Sequence, residues 1–244
     1  MKPTSTRAFV TGGGSGIGLA IAHAFRDAGH EVLISGRDET RLRAAGLPYF
    51  VMNVCDAGAV ADCLRRAGRI DIFVANAGGA VTAPALRTSR EVWDRMIALN
   101  LTSVFHCAQA ALPAMVERGW GRFIAMGSTA SLKGYRYAGA YAAAKHGVLG
   151  FVRSLALELA KTGVTANAIC PGYTDTPLVA EAIEAVARKK NLTRDEAAAV
   201  FTATNPMGRL VSPAEVAGAA LWLASDEAAS VNGQAIAVDG GGTA

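Results

Sequence analysis

Thr11-Gly12-Gly13-Gly14-Ser15-Gly16-Ile17-Gly18 follows directly on the apolar run Arg7–Thr11 and passes at once into a helical pattern predicted over Gly18–Ala28. Strand, glycine turn and helix in that succession form the opening unit of an α/β chain. Glycines allow the tight turn and let backbone N–H groups approach a pyrophosphate, and the helix N-terminus contributes partial positive charge. A glycine cluster alone is usually a loop. Here the context assigns phosphate binding to the turn.

Outward from this turn, short runs rich in Val, Ile and Phe alternate with longer Ala/Leu-rich stretches of helical period. Strands are predicted at Arg7–Thr11, Glu31–Ser35, Tyr49–Asn53, Ile70–Ala75, Arg122–Gly127, Val164–Cys170 and Gln234–Val238. Most are apolar on both faces, as parallel strands covered by helices on both sides must be. Further helices are predicted over Arg90–Arg118, Ala140–Ala160 and Pro213–Ala224, the last opened by Ser212 at the N-cap, Pro213 in the first turn and Glu215 at the third position. The expected fold is therefore a doubly wound, parallel, seven-stranded α/β sheet in one domain over 1–244. Leu178–Arg209 breaks the alternation. With its weak helical pattern, basic Arg188-Lys189-Lys190 and breaker Asn205-Pro206, it reads either as a substrate lid over the carboxyl edge of the sheet or as a surface excursion.

Composition excludes several classes. The 244 residues, 51% hydrophobic and 18% charged with 27 glycines, fit neither a disordered chain, a coiled coil nor a disulfide-stapled miniprotein. Mean hydropathy is +0.26, yet charges, Gly or Pro interrupt every apolar run short of a spanning helix. Cys55, Cys63, Cys107 and Cys170 form no CxxC pair and no Cys/His cluster, so no metal site is expected and reduced thiols in the cytoplasm fit best. The start, with its lone Lys2, lacks the apolar stretch of a signal peptide. The formal charge is +4, but Lys and Arg are dispersed, which argues against nucleic acid.

An acidic residue about 20 positions past the glycine turn marks NAD, because it accepts hydrogen bonds from a ribose 2′-OH. That position holds Gly36 here, and Arg37 beside it has a guanidinium suited to a 2′-phosphate. NADP(H) is favoured over NAD(H) on this ground. The competing reading has Asp38 capping the next helix and Arg37 solvated.

Tyr141 and Lys145 are four apart in a predicted helix, which sets phenol and ammonium on one face about 6 Å apart along the axis. An ammonium there is expected to draw the phenol pKa down toward neutrality. Thirteen residues before Tyr141, Ser128 leaves the carboxyl end of a strand, where a hydroxyl can bond a substrate carbonyl and its developing oxyanion. Asn100 is polar in an apolar helical run and reads either as functional or as a satisfied buried amide. Asn76-Ala77-Gly78 closes the fourth strand at the same edge and reads as a backbone approach to an adenosine ribose or as an ordinary turn.

Together these residues resemble the short-chain dehydrogenase/reductase family along nearly the whole chain. The matching motifs are Thr11-Gly12 to Gly18, Asn76-Ala77-Gly78, Asn100, Ser128, Tyr141 with Lys145, Pro171-Gly172 and Asp239-Gly240-Gly241. The resemblance implies a Rossmann-type fold, a homotetramer and nicotinamide-dependent interconversion of a carbonyl and a secondary alcohol. It implies Tyr141 as general acid/base and Lys145 as the residue that lowers its pKa and holds the nicotinamide ribose. Ser128 would polarise the carbonyl, and Asn100 would anchor a proton-relaying water. Gly12, Ser15, Gly16, Ile17 and Gly18 would line the pyrophosphate and ribose, and Pro171, Gly172, Thr174 and Thr176 the nicotinamide end. Asn53, followed by Val54, stands where the family commonly has Asp at the adenine.

Within the family the chain looks most like 3-oxoacyl-thioester reductases, polyketide ketoreductases and hydroxyacyl-CoA dehydrogenases. The expected substrate is a small carbonyl compound, an acyl thioester on CoA or a carrier protein, with a basic lid suited to its phosphates. Two alternatives stand beside it: an NAD-dependent dehydrogenase of a small or cyclic secondary alcohol or a hydroxyacyl-CoA, and a non-catalytic nucleotide sensor. Tyr135, Tyr137 and Tyr173 are candidates for the substrate pocket or for packing.

Overall fold

The computed structural model describes residues 6–244; Lys2 and the rest of the start read above for a leader lie outside the described residues. Seven strands, β1 (Arg7–Thr11), β2 (Glu31–Gly36), β3 (Tyr49–Val51), β4 (Ile72–Ala75), β5 (Gly121–Met126), β6 (Val164–Pro171) and β7 (Ala235–Val238), pair in parallel in the order β3-β2-β1-β4-β5-β6-β7. Every pairing is parallel, which requires a crossover for each strand. The direction of winding reverses between β1 and β4. Ligands of such sheets bind in the crevice at the carboxyl ends beside that reversal.

Registered pairing of Phe9 with Phe73 and of Phe73 with Phe123 lines three fully buried rings across one face, at centroid separations of 5.5 and 5.8 Å. They meet α3 (Ala57–Ala67), α5 (Ser103–Arg118) and α6 (Gly139–Leu159). The intervening side chains Ala8, Val10, Ile34, Ile72, Val74 and Ile124 face α1 (Gly16–Asp27), α2 (Glu39–Ala44) and α9 (Pro213–Ala224). Period two in the strands thus feeds two helix layers, as continuous apolar runs require.

The predicted ends shift in instructive ways. Strand β3 stops at Val51 rather than Asn53, because the Asn53 carboxamide accepts the Cys55 N–H at 3.1 Å and turns the chain. Strand β4 starts at Ile72 rather than Ile70. Helices α2 and α3, absent from the predicted elements, start from Asp38 and Asp56, each accepting a backbone N–H of the first turn. The stretch predicted as one helix over Arg90–Arg118 is α4 (Arg90–Ile97), a π turn over Ala98–Thr102, then α5. The segment from 178 to 209 is well formed: α7 (Pro177–Lys190) and α8 (Arg194–Thr202) make their own small apolar cluster around Ile183, Ala187, Ala197 and Phe201. Among the described residues no helix is long and apolar enough to cross a membrane. None of their His, Cys, Asp and Glu side chains group in a way that could hold a metal ion.

Candidate active site

The carboxyl ends of β1, β4, β5 and β6 bring the sequence motifs to one edge. At the first, Gly12, Gly16 and Gly18 are required by close approach. A Cβ on Gly12, whose φ is +67°, would lie 2.9 Å from Asn76 Nδ2; one on Gly18 would collide with the Gly12 carbonyl and the same Asn76 amide. Asn76 Nδ2 donates to the carbonyl of Thr11 at 2.9 Å, and Thr11 Oγ1 accepts the N–H groups of Asn76 and Ala77, both at 3.0 Å. The side chain of Asn76 therefore ties β4 to the glycine turn, and what the segment offers a ligand is the backbone of Ala77 and Gly78. Helix α1 starts at Gly16, two residues earlier than predicted, and Ser15 at its N-cap makes no side-chain cap bond. Its hydroxyl and the first helical N–H groups remain for an anion.

At the end of β2, Arg37 is exposed and makes no hydrogen bond or ion pair among the described residues. Asp38 caps α2 and pairs with Arg41 at 3.2 Å, so the structure matches the competing reading in both halves, with Arg37 at the solvent, and leaves its guanidinium open to a ligand. Reading by position missed Arg41. Its backbone and Cβ lie 3.3 Å from where a Cβ on Gly14 would be, placing a second guanidinium-bearing residue beside the glycine turn. Asn53 is exposed with its oxygen engaged by Cys55, leaving its NH2 as the group open to an adenine edge. Val54 beside it is buried.

On the other side of the reversal, Ser128 follows β5 in extended conformation and caps a single 3₁₀ turn, Thr129–Ser131. Its Oγ accepts the Ala130 N–H at 3.1 Å and neighbours Tyr141, near the start of α6, closely enough to draw the phenol pKa down. Lys145, one turn on, is 4% exposed. Its ammonium donates to the Met126 carbonyl at 2.7 Å and lies 5.7 Å from the Tyr141 ring centroid. The expectation that Lys145 draws the phenol down is corrected here. Burial pushes the Tyr141 pKa up, and the opposing influence is the neighbouring Ser128 hydroxyl, not the ammonium. Lys145 is itself lowered to about 8 by burial, since a desolvated ammonium loses more than one carbonyl returns.

Asn100 sits in the π turn and is fully buried. Its carboxamide accepts the Gly79 N–H at 3.2 Å and donates to the Gly79 and Met96 carbonyls at 2.9 and 3.1 Å. Its carboxamide is thus a satisfied amide that clamps the loop after β4. A Cβ on Gly78 would fall 2.9 Å from Asn100 Oδ1 and 3.7 Å from Lys145 Nζ, so the clamp holds that loop against the lysine.

After β6, Gly172 donates to the Val238 carbonyl at 3.0 Å, beside Asp239, and Pro171 is buried. Thr174 is 2% exposed with its hydroxyl on the Gly172 carbonyl at 3.0 Å; it supports the segment from within instead of lining it. Thr176 caps α7 and stands against Gly16. Tyr135 donates to Thr129 Oγ1 at 2.8 Å, and Tyr135, Tyr173 and Phe201 form an edge-to-face series with centroids 6.3 and 4.9 Å apart. The outermost ring belongs to α8, which is how the helical pair is seated beside Tyr141.

This arrangement agrees with the comparisons. A family model described as enoyl-(acyl carrier protein) reductase matches residues 12–243. The chain belongs to the short-chain dehydrogenase/reductase family. The D-beta-hydroxybutyrate dehydrogenase of Rhizobium meliloti (strain 1021) is 38% identical, over 97% of this chain and 98% of that protein. The 3-oxoacyl-(acyl-carrier-protein) reductase MabA of Mycobacterium tuberculosis (strain CDC 1551 / Oshkosh) is 37% identical, over 97% and 92%. The crystal structure of an actinorhodin polyketide ketoreductase with NADPH superposes with a TM-score of 0.92 at 37% identity, covering 98% of this chain and 97% of that one. This short-chain dehydrogenase/reductase is an NAD(P)-dependent oxidoreductase that interconverts a carbonyl and a secondary alcohol. The reading as a non-catalytic sensor is set aside.

Proposed function

We propose that this enzyme reduces the 3-oxo group of an acyl thioester, carried on CoA or a carrier protein, with NADPH in preference to NADH. One observation carries the cofactor preference: Arg37 leaves β2 exposed and unpaired where an acidic residue would select NAD, with Arg41 next to the glycine turn. The substrate class rests on a shared chemistry, because relatives are named for β-hydroxybutyrate, ketoacyl groups and 3-oxoacyl groups, each an oxygen function on an acyl chain. Arg188, Lys189 and Lys190 end α7 at the surface, where they complement the helix dipole and offer charge to the phosphates of a thioester carrier.

The glycine turn fits a pyrophosphate, since Ser15 makes no side-chain cap bond at the start of α1, and a Cβ at Gly12 or Gly18 would strike Asn76 or the Gly12 carbonyl and spoil the cradle. Gly12, Ser15, Gly16, Ile17 and Gly18 would hold it, with Arg37 at the 2′-phosphate and Asn53 and Val54 at the adenine. Ala77 and Gly78 would lie along the ribose, and Pro171, Gly172 and Thr176 at the nicotinamide. When bound, the reduced nicotinamide supplies hydride to the carbonyl carbon. Ser128 donates its O–H to the carbonyl oxygen, polarised by the Ala130 N–H that occupies one lone pair. Tyr141, kept protonated by burial, gives its proton to the developing alkoxide. Lys145, with a pKa of about 8, exchanges protons near neutrality and so restores the phenol as well as offering charge. Asn100 keeps Gly78 and Gly79 in place against that lysine.

The test is kcat/KM for acetoacetyl-CoA, free acetoacetate and cyclic ketones with each cofactor. Acetoacetyl-CoA with NADPH should be the best pair, and Tyr141→Phe should abolish turnover while NADPH fluorescence on binding persists. Arg37→Ala should erase the NADPH preference. Better turnover of free acids or cyclic alcohols with NAD would overturn the assignment in favour of the dehydrogenase reading, which the 38% identity to a β-hydroxybutyrate dehydrogenase also favours. A cytoplasmic homotetramer belongs to the same proposal; light scattering should give four times the 25.1 kDa chain mass.

A further inference from the structure

Behind Ser128 lies a second layer that neither the motifs nor the reaction use. Ser131 is 3% exposed and Cys170 fully buried. The Ser128 N–H donates to Ser131 Oγ at 3.2 Å, and a Cβ built on Gly127 would be 3.1 Å from Ser131 Oγ and 2.8 Å from Cys170 Sγ. Hydroxyl and thiol are therefore packed together against the residue that leads into Ser128. Ser131 and the Ser128 backbone are the neighbours that draw the thiol pKa down against the larger upward push of burial. Strand β6 locks the same point from the other side, since the Gly127 N–H donates to the Ile169 carbonyl at 2.7 Å.

We propose that Ser131 and Cys170 are positioning residues that fix the backbone of Ser128 and so aim its hydroxyl at Tyr141 and the substrate oxygen. The 3₁₀ turn Thr129–Ser131 is a single turn, and such a turn has little stability of its own. Its hold on Ser128 comes from reciprocal bonds: the Ala130 N–H on Ser128 Oγ and the Ser128 N–H on Ser131 Oγ. Removing the Ser131 hydroxyl leaves a buried N–H without its partner. Ser128 then loses its orientation while the cofactor cradle, built from β1, β2 and the segment after β6, is untouched.

This inference rests on the proposed roles of Ser128 and Tyr141. The groups facing Tyr141 are Ser128 from the end of β5, Tyr135 from the loop before α6, Cys170 and Tyr173 from the end of β6 and beyond, and Lys145 from its own helix. Ser128 is the neighbour that lowers the phenol pKa, so disturbing its aim should move the rising limb of alcohol oxidation to higher pH. The experiment compares wild type with Ser131→Ala, Ser131→Thr, Cys170→Ala and Cys170→Ser, using whichever ketone and alcohol the enzyme turns over best. Ser131→Ala should lower kcat about tenfold, move that limb upward and leave NADPH binding by fluorescence unchanged. Ser131→Thr should recover most of kcat. If Ser131→Ala does not fold, Cys170→Ala should move the limb the same way and Cys170→Ser should restore it. An unchanged kcat, an unmoved limb, or a parallel loss of NADPH binding overturns the proposal. Tyr141→Phe separates the two readings: persistent turnover there sinks the acid/base assignment, whereas loss of turnover there with indifferent Ser131 and Cys170 variants sinks only this inference.

Discussion

Lys145 is a buried ammonium with a single carbonyl bond, and its displacement has a thermodynamic consequence as well as a chemical one. Its pKa falls from the ordinary 10.5 to about 8 because of desolvation. Between those values the unfolded chain binds a proton that the folded chain has released, so the stability contributed by this group rises with pH across the window. Below pH 8 the full penalty is present, about 3 kcal/mol at pH 7, declining to about 1 kcal/mol by pH 10. Lys145→Met keeps an unbranched side chain one atom shorter and removes the charge. The lost bond to the Met126 carbonyl costs about 1–3 kcal/mol at every pH, so the sign at a single pH is not diagnostic. The diagnostic quantity is the stability of the variant minus that of wild type, from urea unfolding at fixed protein concentration at pH 7, 8.5 and 10. Subtraction cancels the buried thiols Cys63 and Cys107, raised to about 11 and 12, whose contributions run the opposite way. The difference should fall by about 2 kcal/mol from pH 7 to pH 10. A difference that stays flat or grows would refute the argument that Lys145 is a desolvated cation poised near neutrality, and with it the proton-exchange role.

Other outcomes follow from the same geometry. Gly18→Ala places a methyl group against the Gly12 carbonyl and the Asn76 amide; it should weaken NADPH binding more than tenfold and lower the thermal midpoint, since overpacking costs about 1–3 kcal/mol, and wild-type binding would show that the cradle is looser than drawn. Tyr137 has φ of +69°, a strained region for a bulky side chain, and is half exposed with its carbonyl accepting the Ala83 N–H at 2.8 Å. Tyr137→Gly keeps that bond and should stabilise the fold by about 1 kcal/mol; calorimetry showing a lower midpoint would place the ring in a supporting role. Phe201→Ala removes the ring that joins α8 to Tyr173 and should raise KM for the substrate while leaving KM for NADPH alone, and equal rises in both would contradict its place in a substrate lid.

How much of this was legible beforehand follows the range of the interactions involved. Seven strands, the doubly wound order of motifs and the glycine turn were readable because period-two apolar runs and backbone approach impose residue types locally, whatever the rest of the chain does. Spacing alone put Tyr141 and Lys145 on one helix face, and Ser128 at a strand end. Helix α2 escaped because its six residues bury only Leu42 and carry no period, and the π turn because its apolar pattern is indistinguishable from continuous helix; α3 was legible in Val60, Cys63, Leu64 and Ala67, which recur at helical spacing, and was passed over. Charge balance at the site was decided only in three dimensions. Whether Lys145 acidifies Tyr141 depends on desolvation and on which acceptor its ammonium meets, and Met126 lies nineteen residues away in sequence. For the same reason Asn100 became a clamp and Thr174 an internal support. Residue identity determines which bonds a side chain is able to make; the fold determines which of its possible partners arrive first and whether water remains to compete.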